Sequence, residues 1–412
     1  MASKPDLNAP YPYARDKRCP LDLPPQIAET RNDDGMQQVT LWNGNKAWLA
    51  TRWEDVRTIL SSPDISSDAE KANYPAVSAS RSAQAKSYKT IFTMDPPVHG
   101  QYRRTLTKDF AFKRMQELRP MIEEALNSLY DQMEQGGKPA DFVEAVALPL
   151  PSLVVSMLLG VPYSDREALQ EWSRNRMALD TSPEVVQDSA KKMGEYFDRL
   201  FAEKEALYSD KSKNPGDPAD LVSRLAVEQI LPGHITRLDA VLMCNILYIA
   251  GHETTANQIG FGLLGLLTKP EQKANMLQSD ESVKNGVEEM LRYYSVVHLH
   301  SPRVCTKDMI VGGQEIKAGD GVFALLSGAN RDPKHYDDPD AFDVTRNAIP
   351  HMAFGFGIHQ CIGQSLARLE LQILFESVFK RFPNLKLAVP EESLEYKENA
   401  TVYGLKTLPV TW

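Results

Sequence analysis

Phe354-Gly355-Phe356-Gly357-Ile358-His359-Gln360-Cys361-Ile362-Gly363 is the stretch on which the reading of this chain turns. It sets one cysteine at the end of a glycine-punctuated turn, directly before an amphipathic run over 362–379. Leu366, Leu369, Ile373, Leu374 and Phe379 recur there at helical spacing. Gly355, Gly357 and Gly363 carry no side chain, so a flat ligand can lie close against the backbone. A cysteine at a helix N-terminus meets unpaired N–H groups and the positive end of the macrodipole. Both lower its pKa and favour thiolate, the form that ligates metal. The bland alternative is a buried structural cysteine beside a tight turn. The glycines, Phe354 and His359 placed around it argue for a ligand site.

The totals bound the rest. The chain has 412 residues, 42% apolar and 25% charged, an ordinary globular composition. A net charge of −9 argues against a nucleic-acid binder, which would present a strongly basic face. Cys19, Cys244, Cys305 and Cys361 are widely spaced with no C-x-x-C pair. Neither a disulfide framework nor a zinc site is expected, and a reducing, cytoplasmic setting fits. The polar, proline-rich start lacks the apolar core of a signal peptide. The most hydrophobic segment, 240–267, is interrupted by His252, Glu253, Thr254, Thr255, Asn257 and Gln258. It is read as a core helix rather than a membrane span, and the protein as soluble. Asn399-Ala400-Thr401 matches a glycosylation sequon by chance.

Along the chain, 39–42 and 47–51 around Asn43-Gly44 read as a β-hairpin, and a short helix starts near Trp53. The segment 61–89 reads as irregular cover for a ligand. Helices are expected near 95–104, 115–135, 141–159, 165–178 and 183–208, then almost continuously over 221–267, and again at 282–294. Short strands are expected at 309–311, 322–325, 385–389 and 402–410. The fold class is mainly α with a minor β portion, one large domain over 1–412 with an irregular N-terminal arm at 1–37.

Several constellations carry chemistry. Glu289 and Arg292, three apart, share one helical face. His99 and Arg103 share another, and Arg303 follows a Ser-Pro turn. Arg103, Arg104, Lys108, Lys113 and Arg114 form a basic run against the acidic total. Ala250-Gly251-His252-Glu253-Thr254-Thr255 puts small residues, then an acid and an alcohol, inside an apolar helix, where polar groups are costly unless paired or used. Two decoys fail. His252-Glu253-Thr254-Thr255-Ala256 lacks the second histidine of a zinc-protease motif, and Gly260-Phe261-Gly262-Leu263-Leu264-Gly265 lies inside a helix rather than after a strand.

The cysteine stretch resembles the haem-binding loop of the cytochrome P450 family, Phe-x-x-Gly-x-x-x-Cys-x-Gly. The resemblance runs from about Val39 to the C-terminus and is similar to the soluble bacterial-type branch. It implies haem b with Cys361 as axial thiolate, pushing electron density towards O–O cleavage. It implies that Ala250, Gly251, Phe354, Gly355 and Gly363 border the cofactor. His99, Arg103, Arg303 and His359 match positions that hold its propionates. Glu253 and Thr254 match the acid–alcohol pair that delivers protons for heterolytic O–O cleavage. Glu289, Arg292 and Arg346 match a buried structural triad behind the haem. By position, Ile246, Ile249, His298, Leu299, Val402 and Tyr403 line the substrate pocket, with cover from 70–90 and 165–190. His298 and His300 hint at recognition of a phenol or carboxylate.

The implied activity is a monooxygenase that inserts one oxygen atom from O2 into a small organic substrate. The chain shows no flavin, iron–sulfur or nicotinamide module, so electrons come indirectly from NAD(P)H through an external ferredoxin and ferredoxin reductase. The basic run suits an acidic ferredoxin. Segments 41–56, 147–163 and 382–410 are also similar to the fungal nitric-oxide reductases of the same superfamily, which use NADH directly. Those enzymes usually lack an acid beside the threonine, and Glu253 and Gly363 favour monooxygenation. A non-catalytic haem gas sensor is the third reading, and the acid–alcohol pair argues against it.

Overall fold

One helix, Arg237–Thr268, organises the interior. In this computed structural model, residues 5–412 are described except 88, 179–180, 211, 214, 299–300 and 399. Thr236 starts the helix by a reciprocal cap: its hydroxyl accepts from the Asp239 N–H at 3.1 Å, and the Asp239 carboxylate accepts the Thr236 N–H at 2.9 Å. Lys269-Pro270 ends it, Pro270 opening the short helix Pro270–Met276. The second half is buried on nearly every side, from Thr255 to Leu266.

Its neighbours are Pro149–Leu159, Pro183–Ser209, Asp280–Tyr294 and Gln364–Arg381. The glycines of the decoy string serve this packing. A Cβ on Gly262 would stand 2.7 Å from Phe375 Cζ and 2.8 Å from Met290 Sδ, and one on Gly265 would stand 1.9 Å from the Tyr294 hydroxyl. Among the described residues no helix is long and apolar enough to cross a membrane.

The β portion is small and lies to one side. A five-stranded sheet runs in the order Met36–Thr40, Lys46–Ala50, Gly321–Ala324, Pro302–Cys305, Ile65–Ser66. Lys46–Ala50 pairs in parallel with Gly321–Ala324, and the other pairings are antiparallel. Ala140–Asp141, Pro409–Thr411 and Lys386–Leu387 form a second sheet, and Met309–Val311 with Gln314–Ile316 a hairpin.

Four expectations need correction. The arm 1–37 is not irregular throughout, because Pro25–Asn32 is a helix started by Pro25 and seated through Ile27 on Tyr11, Leu49 and Phe323. Segment 61–89 holds the strand Ile65–Ser66 and the helix Ala79–Ser87; tertiary pairing and hydrogen bonding decide there, not periodicity. The helical run from 221 breaks after Ile230 at Pro232-Gly233, where Gly233 takes φ +79°. Only Pro409–Thr411 of the 402–410 strand forms, with Val402 and Leu405 reduced to isolated bridges.

Candidate functional site

The cysteine loop is fixed by backbone geometry. Gly357 has φ +70°, and a Cβ there would lie 2.3 Å from the Leu60 carbonyl oxygen, so this position admits only glycine. Gly357–His359 make a single tight turn, and the Cys361 N–H donates to Phe354 O at 2.8 Å. Gly363 caps the helix Gln364–Arg381, so Cys361 precedes the helix by two residues. The expected lowering of the thiol pKa is not met by the protein alone. Burial pushes it up, against the opposing Gly363 and Gln364 N–H groups and the Arg103 charge. Desolvation outweighs the dipole, and a cation at the sulfur is what would reverse the balance. Phe354 packs under Arg368, whose guanidinium carbon is 4.5 Å from the ring centroid.

Four basic residues converge nearby. The His99 and His359 rings stand 4.2 Å apart, and His359 Nε2 meets the Ser67 hydroxyl at 2.9 Å. His99 Nε2 and His359 Nδ1 are buried with no hydrogen-bond partner. Arg303 is buried and donates to its own neighbour, the Pro302 carbonyl, at 2.8 Å. Burial, with the Arg303 and His99 charges, pushes His359 down to about 3. Burial also lowers Arg103, whose charge reaches Cys361. Unbonded ring nitrogens between two arginines, beside a thiol flanked by N–H donors, fit a group that brings both a metal and carboxylates. The residues present therefore fit haem.

Over the central helix, the Thr254 hydroxyl donates to the Ala250 carbonyl at 2.6 Å. The Cβ direction of Gly251 points at Val155 Cγ2, 3.4 Å away on the helix Pro149–Leu159. Glu253 is 5% exposed. Its Oε2 lies 3.3 Å from Lys397 Nζ and 3.4 Å from Asn257 Nδ2, while Oε1 has no hydrogen-bond partner. Burial opposes ionisation of Glu253, but the Lys397, His252 and Arg174 charges outweigh it and hold the carboxyl below its ordinary value. Sequence reading missed Lys397, because nothing local distinguishes it from a surface lysine. His252 is buried with both ring nitrogens unbonded.

Beneath the site, Glu289 takes Arg292 in a two-pronged pair at 2.6 and 2.8 Å and accepts the Asp343 N–H at 2.9 Å. Arg346 Nε approaches Glu289 Oε1 at 3.5 Å. Arg346 thus stands beside the Glu289–Arg292 pair, its terminal nitrogens donating to the Asp337 and Asp338 carbonyls. A second cluster was unforeseen: Glu288 takes Arg368 at 2.7 and 3.0 Å and His351 Nε2 at 2.9 Å. Despite burial, His351 and Arg368 bring Glu288 down to about 2.

A cavity of about 530 Å3 lies between the helix Pro183–Ser209 and the first half of the central helix, with Arg176, Asn245 and Ile246 in its lining. Of the expected pocket residues Ile246 lines it. His298 Nε2 bonds the Ala400 carbonyl at 3.0 Å, and Val402 bridges Val297. Tyr403 stacks on Tyr396, lies tilted against Phe261 and carries Arg15 4.3 Å over its ring. Ile249 is buried, and Leu299 and His300 lie outside the described residues.

Residues 52–410 match the family model described as Cytochrome P450. The chain is 40% identical over 401 residues to Cytochrome P450-SU2 of Streptomyces griseolus, covering 97% of this chain and 96% of that protein. It is 38% identical over 412 residues to a vitamin D3 dihydroxylase of the same organism, covering 100% and 99%. The crystal structure of mycinamicin VIII C21 methyl hydroxylase from Micromonospora griseorubida bound to mycinamicin VIII superposes with TM-score 0.89 at 33% identity, covering 98% of this chain and 99% of that one.

Proposed function

This chain belongs to the cytochrome P450 family, and on that premise we propose that Cys361 ligates the haem iron while Glu253 and Thr254 supply the protons of the reaction. It is a haem-thiolate monooxygenase acting on a small organic substrate, with electrons derived from NAD(P)H through a redox partner. When bound, the haem supplies dioxygen activation, one oxygen atom entering the substrate and the other leaving as water. His99, Arg103, Arg303 and His359 would hold its propionates, and the observation that carries this reading is the pair of orphaned ring nitrogens between those cations.

The Thr254 hydroxyl, turned back on the Ala250 carbonyl, holds a proton at a fixed point. Glu253, one residue away and bonded through a single oxygen, takes a proton from the solvent side and replaces the one that Thr254 gives up. The cavity between the helices holds the substrate; about 530 Å3 lies within the usual range for small-molecule sites. Asn245 Oδ1, buried and unbonded, offers an acceptor to a substrate hydroxyl or amine. The redox partner is an acidic ferredoxin docking on the Arg103 side. Arg104 and Lys113 are exposed and are the leading contacts, because Lys108 already pairs with Glu228 and Arg114 with Glu117.

The test is the ferrous–carbon monoxide spectrum together with turnover under labelled dioxygen. A thiolate-type band that Cys361→Ser abolishes, with one labelled atom in product and one in water, is the expected outcome. Retention of that band in Cys361→Ser would refute the ligand assignment.

A further inference from the structure

Lys397 reaches the acid of the central helix from a different part of the chain. Its Nζ stands 3.3 Å from Glu253 Oε2 and 3.1 Å from Asn257 Oδ1. Asn257 Nδ2 donates to the Glu253 carbonyl at 2.8 Å, closing a small network across the helix surface. The loop that carries Lys397 is seated there by packing. The Lys397 N–H donates to Gly404 O at 2.8 Å, and a Cβ on Gly404 would stand 1.9 Å from Asn257 Oδ1. Only a glycine lets the loop come this close.

The two partners differ in access to water. The Lys397 side chain is 22% exposed and that of Glu253 is 7% exposed. The same loop is tied at its other end to the helices Ala79–Ser87 and Arg166–Met177, where Arg81 donates both to the Thr401 hydroxyl and, at 2.8 Å, to the Met177 carbonyl. Ala400 also bridges Ala178. The loop thus joins the acid to the end of the helix Arg166–Met177, next to Arg176 in the cavity lining.

We propose that Lys397 is a positioning residue that holds the Glu253 carboxylate against the C-terminal loop, so that the loop governs when Glu253 takes up the proton it delivers. The inference rests on the proton role proposed above for Glu253. While the ammonium sits on Oε2, the carboxylate stays ionised and its other oxygen stays unbonded. When the loop shifts, burial favours the neutral acid. Water reached past Lys397 supplies the proton, which passes to the Thr254 side; Lys397 keeps its own. The other charged or titratable groups facing Glu253 are His252 on the same helix and Arg174 on the helix Arg166–Met177, both acting at longer range than Lys397.

Infrared titration of the ferric holoenzyme tests this without turnover. Subtracting the spectrum of Glu253→Gln isolates the protonated-carboxyl band of Glu253. In the parent enzyme the band grows only as the pH falls into the acid range. In Lys397→Met its midpoint rises by about one to three pH units, and Lys397→Arg returns it to the parent value. A midpoint in Lys397→Met equal to the parent's overturns the proposal. If Lys397→Met fails to take up haem, Lys397→Gln is titrated in its place under the same two outcomes. Fully coupled product formation in Glu253→Gln would instead refute the proton role of Glu253, leaving the infrared result to stand by itself.

Discussion

Glu289 and Glu253 are buried carboxylates at 0% and 5% exposure, on two helices that pack against each other, and their surroundings differ in kind. Glu289 has both oxygens engaged by Arg292, with the Asp343 N–H added, and Arg292 in turn donates to the carbonyls of Asn330, Pro339 and Ala341. Glu253 has one oxygen on a flexible ammonium and a long bond from the Asn257 amide, and the other on nothing. Full satisfaction makes a rigid joint that locks the meander of 330–343 to the helix Asp280–Tyr294. Partial satisfaction leaves a group free to change protonation state. A buried acid that works is recognised by the bond it lacks.

Breaking the first site should produce the largest effect on folding. Glu289→Ala strands the Arg292 guanidinium and should cost about 3–5 kcal/mol in denaturant unfolding, with poor haem uptake. Glu253→Gln should leave the unfolding midpoint nearly unchanged, because Lys397 can turn to solvent. It should instead lower product formation by roughly 10²-fold at saturating substrate and reductant, the size expected of a lost proton donor. Equal stability losses at the two sites would show that the two carboxylates play the same structural role.

Glu288 sharpens the comparison through pH. Its carboxyl is brought from 4.5 to about 2, so its stabilising contribution is complete above the unfolded value and is lost as the pH falls from about 4.5 towards 2. Urea unfolding at pH 4 should show about 1 kcal/mol of that contribution already gone relative to pH 7. Glu288→Gln should remove this part of the acid sensitivity. An unchanged acid slope in that variant would show that Arg368 and His351 do not act through Glu288.

The smallest effect belongs to exposed charge. Arg104→Gln with Lys113→Gln should leave stability unchanged and slow reduction by an acidic ferredoxin on the order of tenfold at low salt, the difference closing as salt is raised. Lys108→Gln should do less, since Glu228 already takes part of its field. Salt-independent rates in the double variant would move the docking surface elsewhere.

The cysteine loop was legible because its requirements are local: a turn, two glycines at positive φ and a helix start are written in ten consecutive residues. The long helix Pro183–Ser209 was legible through its period, and the scaffold pair through its spacing of three. The helix Ala79–Ser87 was not, since its stretch ASRSAQAKS has no apolar stripe and is held through its own Arg81 to the distant Met177 carbonyl. The Pro232-Gly233 break was present in the sequence as a turn signal and was overridden in the reading by the apolar run around it.

By itself the sequence singled out the cysteine loop and the acid–alcohol pair, because each is a set of residue types whose chemistry is intrinsic and whose spacing is short; His99, Arg103, Arg303 and His359 are scattered along the chain and were picked out by the family resemblance. Tertiary structure decided which of those groups are satisfied. Lys397 lies 144 residues from Glu253, and Arg368 lies 80 from Glu288. Cys361 also needed the fold to show that burial, opposing the N–H groups at the helix start, pushes its thiol up. Protonation state follows from desolvation and from charges brought together by packing, and neither is encoded within any one segment.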